Sequence, residues 1–151
     1  MHYAILKNAL ILGMAAFSSA QFMERDQYFN EAPKARAHID AARTRHGNNL
    51  SDAQAAVLNL ADDVVNTFAT KRIPELLTKC DEAFGSEECR LILGDASTES
   101  AGGLEKRATC GCSTGADYCD GSSSCNSNAA CEYQARGCGH LFLMYCNGAC
   151  R

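Results

Sequence analysis

Between residues 51 and 68, Val57, Leu60, Ala61, Val64 and Phe68 recur at intervals of three and four, the spacing that lines one face of a helix. Ser51 and Gln54 open that stretch in the form of a capping box, in which the Ser51 hydroxyl satisfies an orphan amide of the first turn. Ahead of it, residues 33–46 are rich in Ala, Arg and Lys, with Pro33 at a first-turn position and Gly47 as a stop, so a helix is expected there too. A third short helix opens at Pro74 with Leu76, Leu77 and Cys80 facing inward, and a last turn runs from Ser86 through Cys89 to Leu93, ended by Gly94.

The helical period stops at residue 95. Residues 95–103 are mostly Ser, Thr, Ala and Gly, a composition that sustains no regular element. Beyond them the pattern is short and broken. Asn128 can cap a helix over 129–136, with Glu132 and Arg136 paired four apart and Gly137 as the stop. His140, Leu141, Phe142, Leu143, Met144, Tyr145 and Cys146 make an apolar run that reads as a buried strand, followed by the turn signal Asn147 and Gly148. Residues 120–124 read as a loop. The expected fold is thus an all-α segment with a flexible 95–107 linker, followed by a small disulfide-rich α+β domain of one short helix and short strands.

Residues 1–20 change the picture at the other end. Lys7, the apolar stretch 9–17 and the small residues Ser18, Ser19 and Ala20 have the order of a secretory signal peptide cut after Ala20. The apolar stretch is shorter than the roughly 20 residues a membrane span needs, so no stable membrane anchor is expected. The export route is oxidising, and the ten cysteines are read accordingly as disulfides. Cys80 and Cys89 lie in the helical segment. Cys110, Cys112, Cys119, Cys125, Cys131, Cys138, Cys146 and Cys150 all follow residue 107, in the spacing C-x-C-x6-C-x5-C-x5-C-x6-C-x7-C-x3-C. Both sets are even, so each can close on itself. The eight distal cysteines allow 105 connectivities.

Two dibasic pairs offer processing sites. Lys71 and Arg72 fall at the end of a predicted helix, two residues before Pro74, where the backbone is already bonded to itself. Lys106 and Arg107 follow the aperiodic stretch, the kind of segment proteases prefer. Cleavage is expected after Arg107. That divides the chain into a leader (1–20), a helical pro-region (21–107) and a cysteine-rich product (108–151). Leu104, Glu105, Lys106 and Arg107 resemble the sites cut by kexin-type proteases in fungal secretory precursors. The whole plan is similar to that of fungal small secreted cysteine-rich proteins, a group of effectors, host-directed toxins and antifungal peptides, and animal toxin precursors share it. The resemblance covers the organisation of the chain and carries over no catalytic or binding residue.

Charge and motif content narrow the chemistry. Residues 21–107 carry a net charge of −4 and residues 108–151 a net of −1. Neither has the basic excess that draws a protein to nucleic acid or anionic membranes. No nucleophile motif, carboxylate pair or phosphate-binding glycine loop is present, and a product of 44 residues leaves little room for a water-excluding pocket, so no enzyme and no cofactor are expected. One C-x-C, at Cys110 and Cys112, is too little for a metal cluster. The order of C-x-C first and C-x3-C last is the reverse of that in defensins. Asn49 heads a glycosylation sequon with Ser51, on the loop before the capped helix.

The expectation is a disulfide-stabilised extracellular ligand, effector- or toxin-like, of a host or competitor protein. A cell-wall module is the alternative, with Tyr118, Tyr133 and Tyr145 stacking on a polysaccharide such as chitin. A protease inhibitor presenting the 120–124 loop and an antimicrobial peptide are further alternatives. Phe142, within the apolar run, is a contact candidate, although burial of that run is the simpler reading. The helical stripe in turn could form a small core of its own, or cover apolar surface of the product until release.

Overall fold

A computed structural model describes residues 22–94, 110–116, 119 and 124–151, the side chains of Ala135 and Arg136 excepted. The leader, the 95–107 stretch with Lys106 and Arg107, Tyr118 and most of the 120–124 loop lie outside the described residues. Four helices come first: α1 (Arg25–His46), α2 (Asp52–Thr67), α3 (Ile73–Phe84) and α4 (Ser86–Leu93). Four short strands follow: β1 (Cys125–Asn126), β2 (Gln134–Cys138), β3 (Met144–Cys146) and β4 (Ala149–Cys150).

The helical ends obey the local signals. Gln54 N–H donates to the Ser51 hydroxyl (3.2 Å) and Ser51 N–H donates back to Gln54 Oε1 (3.0 Å), so both halves of the capping box are made. The Gln54 amide also donates to the Ala83 carbonyl (3.1 Å), tying the start of α2 to the end of α3. Gly47 stops α1 with a φ of 52°, and Gly85, at 82°, turns the chain between α3 and α4. There the Cys80–Cys89 bridge clips the last two helices together.

One expectation about α1 is corrected. It starts at Arg25 instead of residue 33 and carries Pro33 in its interior. An interior proline removes a helical hydrogen bond at a cost of about 3 kcal/mol, so packing must offset it. Pro33 faces solvent, while Tyr28, Ala32, Ala35, Ile39 and Ala42 form a fully buried stripe on the other face. The small residues in that stripe let α2 and α4 approach closely. Val57, Leu58, Leu60, Ala61, Val64 and Val65 fill the core from α2, with Leu76 from α3 and Ile92 and Leu93 from α4.

Among its described residues, the distal part has no such core of its own. β2 pairs with β3 and β1 with β4, both antiparallel, and an isolated bridge joins Cys112 to Gly148. Its own buried cluster is sulfur: Cys110, Cys138 and Cys146, with Cys131 against them. Four bridges hold it: Cys110–Cys131, Cys112–Cys125, Cys119–Cys150 and Cys138–Cys146.

Two further expectations fail here. The helix over 129–136 is absent, and residues 134–138 form β2 instead. Asn126 organises the preceding segment: its side chain accepts from Asn128 N–H (2.8 Å) and its carbonyl from Ala129 N–H (3.3 Å). Cys131 is bridged to Cys110, the Glu132 carbonyl accepts from Cys110 N–H (2.8 Å), and from Gln134 the chain pairs with β3, so these backbone groups are committed to extended partners and not to a helical turn. The apolar run is likewise not one strand. His140–Phe142 is a tight 3-10 turn in which Leu141 (φ 51°) and Phe142 (φ 59°) are both left-handed, and only Met144–Cys146 is strand.

Candidate functional site

The tight turn at His140–Phe142 lies against α1 and α4, and Leu141, Phe142 and Leu143 belong to the same buried cluster as the helical core. The most apolar segment of the cysteine-rich part is therefore held between β2 on one side and the helices on the other. This is the junction around which the candidate chemistry collects.

Each contact there has a definite partner. The Tyr28 phenol, fully buried in α1, donates to the Leu141 carbonyl (3.2 Å), and burial pushes its pKa up. Met23 N–H donates to the Leu143 carbonyl (2.8 Å), and Phe22 forms an antiparallel bridge with Met144. These residues ahead of α1 thus extend the β2–β3 sheet at its β3 edge, the mode of recognition known as strand addition. The His38 ring meets the Phe142 ring edge-on, with centroids 5.1 Å apart. The Arg90 guanidinium donates to the Cys119 carbonyl (2.9 Å). At the far end of α1, Arg45 (2.7 Å) and His46 (3.2 Å) both reach Glu88 of α4. Burial works against the Glu88 carboxylate, but those hydrogen bonds outweigh it and hold its pKa below the ordinary value.

Three sequence-level candidates fall in or beside this junction. Phe142 is only 6% exposed, so it is an internal contact in the intact chain. Tyr145 is half-buried; its hydroxyl donates to Gln27 Oε1 (2.9 Å) and accepts from Glu24 N–H (3.3 Å). Tyr133 is 54% exposed and stands beside Tyr145, with ring centroids 5.6 Å apart and planes 50° apart. Two rings so tilted do not make one flat stacking face. Tyr118 lies outside the described residues. His140 is half-buried, and desolvation drives its pKa down to about 4.

The remaining candidates stand apart. Asn49 is exposed at the end of the 3-10 turn Gly47–Asn49. Lys71 and Arg72 are exposed but held in the 3-10 turn Thr70–Arg72, with Arg72 bonded to Asp63 (2.7 Å) and Glu75 (3.4 Å). The sulfurs of Cys112, Cys119 and Cys150 lie within 4.8 Å of one another because two bridges are neighbours. In bridged form none of them is a thiolate, the form that ligates metal. Among the described residues, no helix is long and apolar enough to cross a membrane.

Sequence reasoning missed Phe22, Met23, Tyr28, His38 and Arg90. A signal was available for one: Tyr28, Ala32, Ala35, Ile39 and Ala42 keep the three-four spacing straight through Pro33. The other contacts depend on which surface meets which, and no local pattern encodes that. Compared with protein families, curated proteins and solved structures, the chain matches none of them.

Proposed function

We propose that the chain is a secreted precursor, cut by a kexin-type protease after Arg107, whose cysteine-rich product acts outside the cell as an effector- or toxin-like ligand of a host or competitor protein. One observation carries this reading. All ten cysteines are bridged, and every bridge closes within its own side of residues 95–109. A cut there breaks no covalent tie beyond the peptide bond itself. The four distal bridges, at about 2–4 kcal/mol each, give so short a product a shape it could not hold by apolar burial alone. A shape held by cross-links also loses little entropy on binding a target.

Choice of the second dibasic pair has its own support. Arg72 N–H is already bonded to the Ala69 carbonyl (2.9 Å), so the first pair would have to unwind before entering a protease.

Intact and reduced masses of the material secreted by the producing cell test the proposal. The expected species is residues 108–151 with four bridges. A full-length species, or one with free thiols, would sink it. Retention of the product on chitin, lost on Tyr133→Ala, would move the reading to a cell-wall module.

A further inference from the structure

We infer that cutting the linker does not free the cysteine-rich part: the helical segment stays bound to it as a separate chain, and its departure is a second step that uncovers the face built from Leu141, Phe142, Leu143 and Tyr145. The inference rests on the processing reading above, but its basis is the junction itself. Nothing covalent joins the two parts once the linker is cut, because all five bridges are internal to one part or the other. What remains is a continuous apolar contact. Leu141 (1% exposed), Phe142 (6%) and Leu143 (0%) are buried in one cluster with Tyr28, Ile39, Ile92 and Leu93.

Hydrogen bonds set the register of that contact. Tyr28 to Leu141 and Met23 to Leu143 satisfy polar groups that would otherwise be left without partners in a dry interface, and Tyr145 to Gln27 adds a bond at its exposed rim.

The shape of the face points the same way. Two successive non-glycine residues, Leu141 and Phe142, sit in the left-handed region, where each is disfavoured by roughly 1–2 kcal/mol. Such a turn persists only when its surroundings over-determine it. On the inner side, Gly137 lies so close that a Cβ there would collide with the Phe142 carbonyl oxygen. On the outer side, the surroundings are α1 and α4. The helices therefore act as occupant and mould of a projecting apolar turn. A target that binds this turn must displace them, and must bring an apolar surface with at least one donor for the Leu141 carbonyl.

The test uses the full chain, with residues 104–107 replaced by the recognition site of a sequence-specific protease. After cutting in vitro without reductant, both pieces should elute together on size exclusion and separate only when denaturant is added. Elution of the cysteine-rich piece alone in native buffer would overturn the inference. In the cut protein, Phe142→Ala should raise the dissociation constant by roughly 100-fold, and Tyr133→Ala should leave it unchanged. Equal affinity for the Phe142 variant would show that the contact lies elsewhere.

Should that variant fail to fold, hydrogen exchange on the cut wild-type protein gives the same answer: Met23 N–H stays protected if the pieces remain paired and exchanges freely if they part. Because the cut is made in vitro, absence of natural processing would defeat the proposed function and leave this inference standing, and free dissociation would do the reverse.

Discussion

The two parts of this molecule solve the burial problem by opposite means. The helical segment pairs long apolar stripes across α1, α2, α3 and α4, and needs one bridge, Cys80–Cys89, between consecutive helices. The cysteine-rich part uses four bridges, and among its described residues the buried cluster of its own is cystine. Its apolar side chains at 141–143 are turned away from that cluster and into the helices. Covalent cross-links thus release a short chain from having to bury its apolar residues internally. Those residues become available as a surface, and in the intact chain the helices cover it.

The difference makes the response to reduction the largest effect expected. Reduction removes four cross-links worth about 2–4 kcal/mol each from the distal part, against a typical total stability of about 5–15 kcal/mol for a domain. The cysteine-rich part should lose its structure and become the first site of limited proteolysis. Residues 25–93 lose one clip and part of their cover, so the far-UV helical signal should fall only modestly. Collapse of that signal at the same reductant concentration would break the contrast, and would show that the helices cannot stand without the tail.

Acid should act on the junction next. His140 has a pKa of about 4 in the folded chain, against an unperturbed value of about 6.5. Below pH 6.5 the unfolded chain takes up a proton that the folded chain refuses. Stability is therefore full above that value, declines as pH falls, and levels off once the folded pKa is passed. The maximum loss is about 3 kcal/mol. Urea midpoints across pH 7 to 4 should show a steeper decline for the wild type than for His140→Asn. Parallel curves would mean that the imidazole remains hydrated and takes no part.

Gly137→Ala probes the same turn from inside the tail. Its Cβ would collide with the Phe142 carbonyl oxygen and meet the Phe142 Cβ at 2.8 Å. These atoms are backbone and Cβ of one buried residue, with no flexible end that could swing aside, so a loss of about 1–3 kcal/mol is expected in denaturant titration. A loss near zero would mean that the turn can lift away from β2 without loosening its hold on the helices.

What could be read in the sequence follows the same division. Ser51 with Gln54, Gly47 and Gly94 are local signals, and the ends of the helices they mark are found where they point. Pro33 misled because a proline opening a helix and a proline tolerated inside one look alike until Tyr28 is seen to be buried. In the tail, the local evidence for a helix at 129–136 was of the same kind as that at Ser51, yet it failed. There Cys131 is bridged to Cys110, 21 positions earlier, and a bridge over that span outweighs a cap and one charge pair worth about 1 kcal/mol or less each. Within the run at 140–146, Leu141, Phe142, Leu143, Met144 and Cys146 are buried, and His140 and Tyr145 are half-buried. Which surface would bury it depends on contacts more than a hundred residues apart, such as Tyr28 with Leu141.

The smallest effect is also the most discriminating. Ser51→Ala removes one half of the capping box at α2 and should cost about 1 kcal/mol, seen as a shift of a few degrees in Tm. The site is remote in mechanism from the junction: its partners are Gln54 and, through that side chain, the Ala83 carbonyl of α3. If the helical segment and its contact with the tail are separable, hydrogen exchange should quicken at Gln54 N–H and stay unchanged at Met23 N–H, which is bonded to Leu143. Equal quickening at both amides would mean that a cap on α2 is felt at the junction. The helices and the tail would then open as one cooperative unit, and loss of the helical cover would require unfolding and not simple detachment.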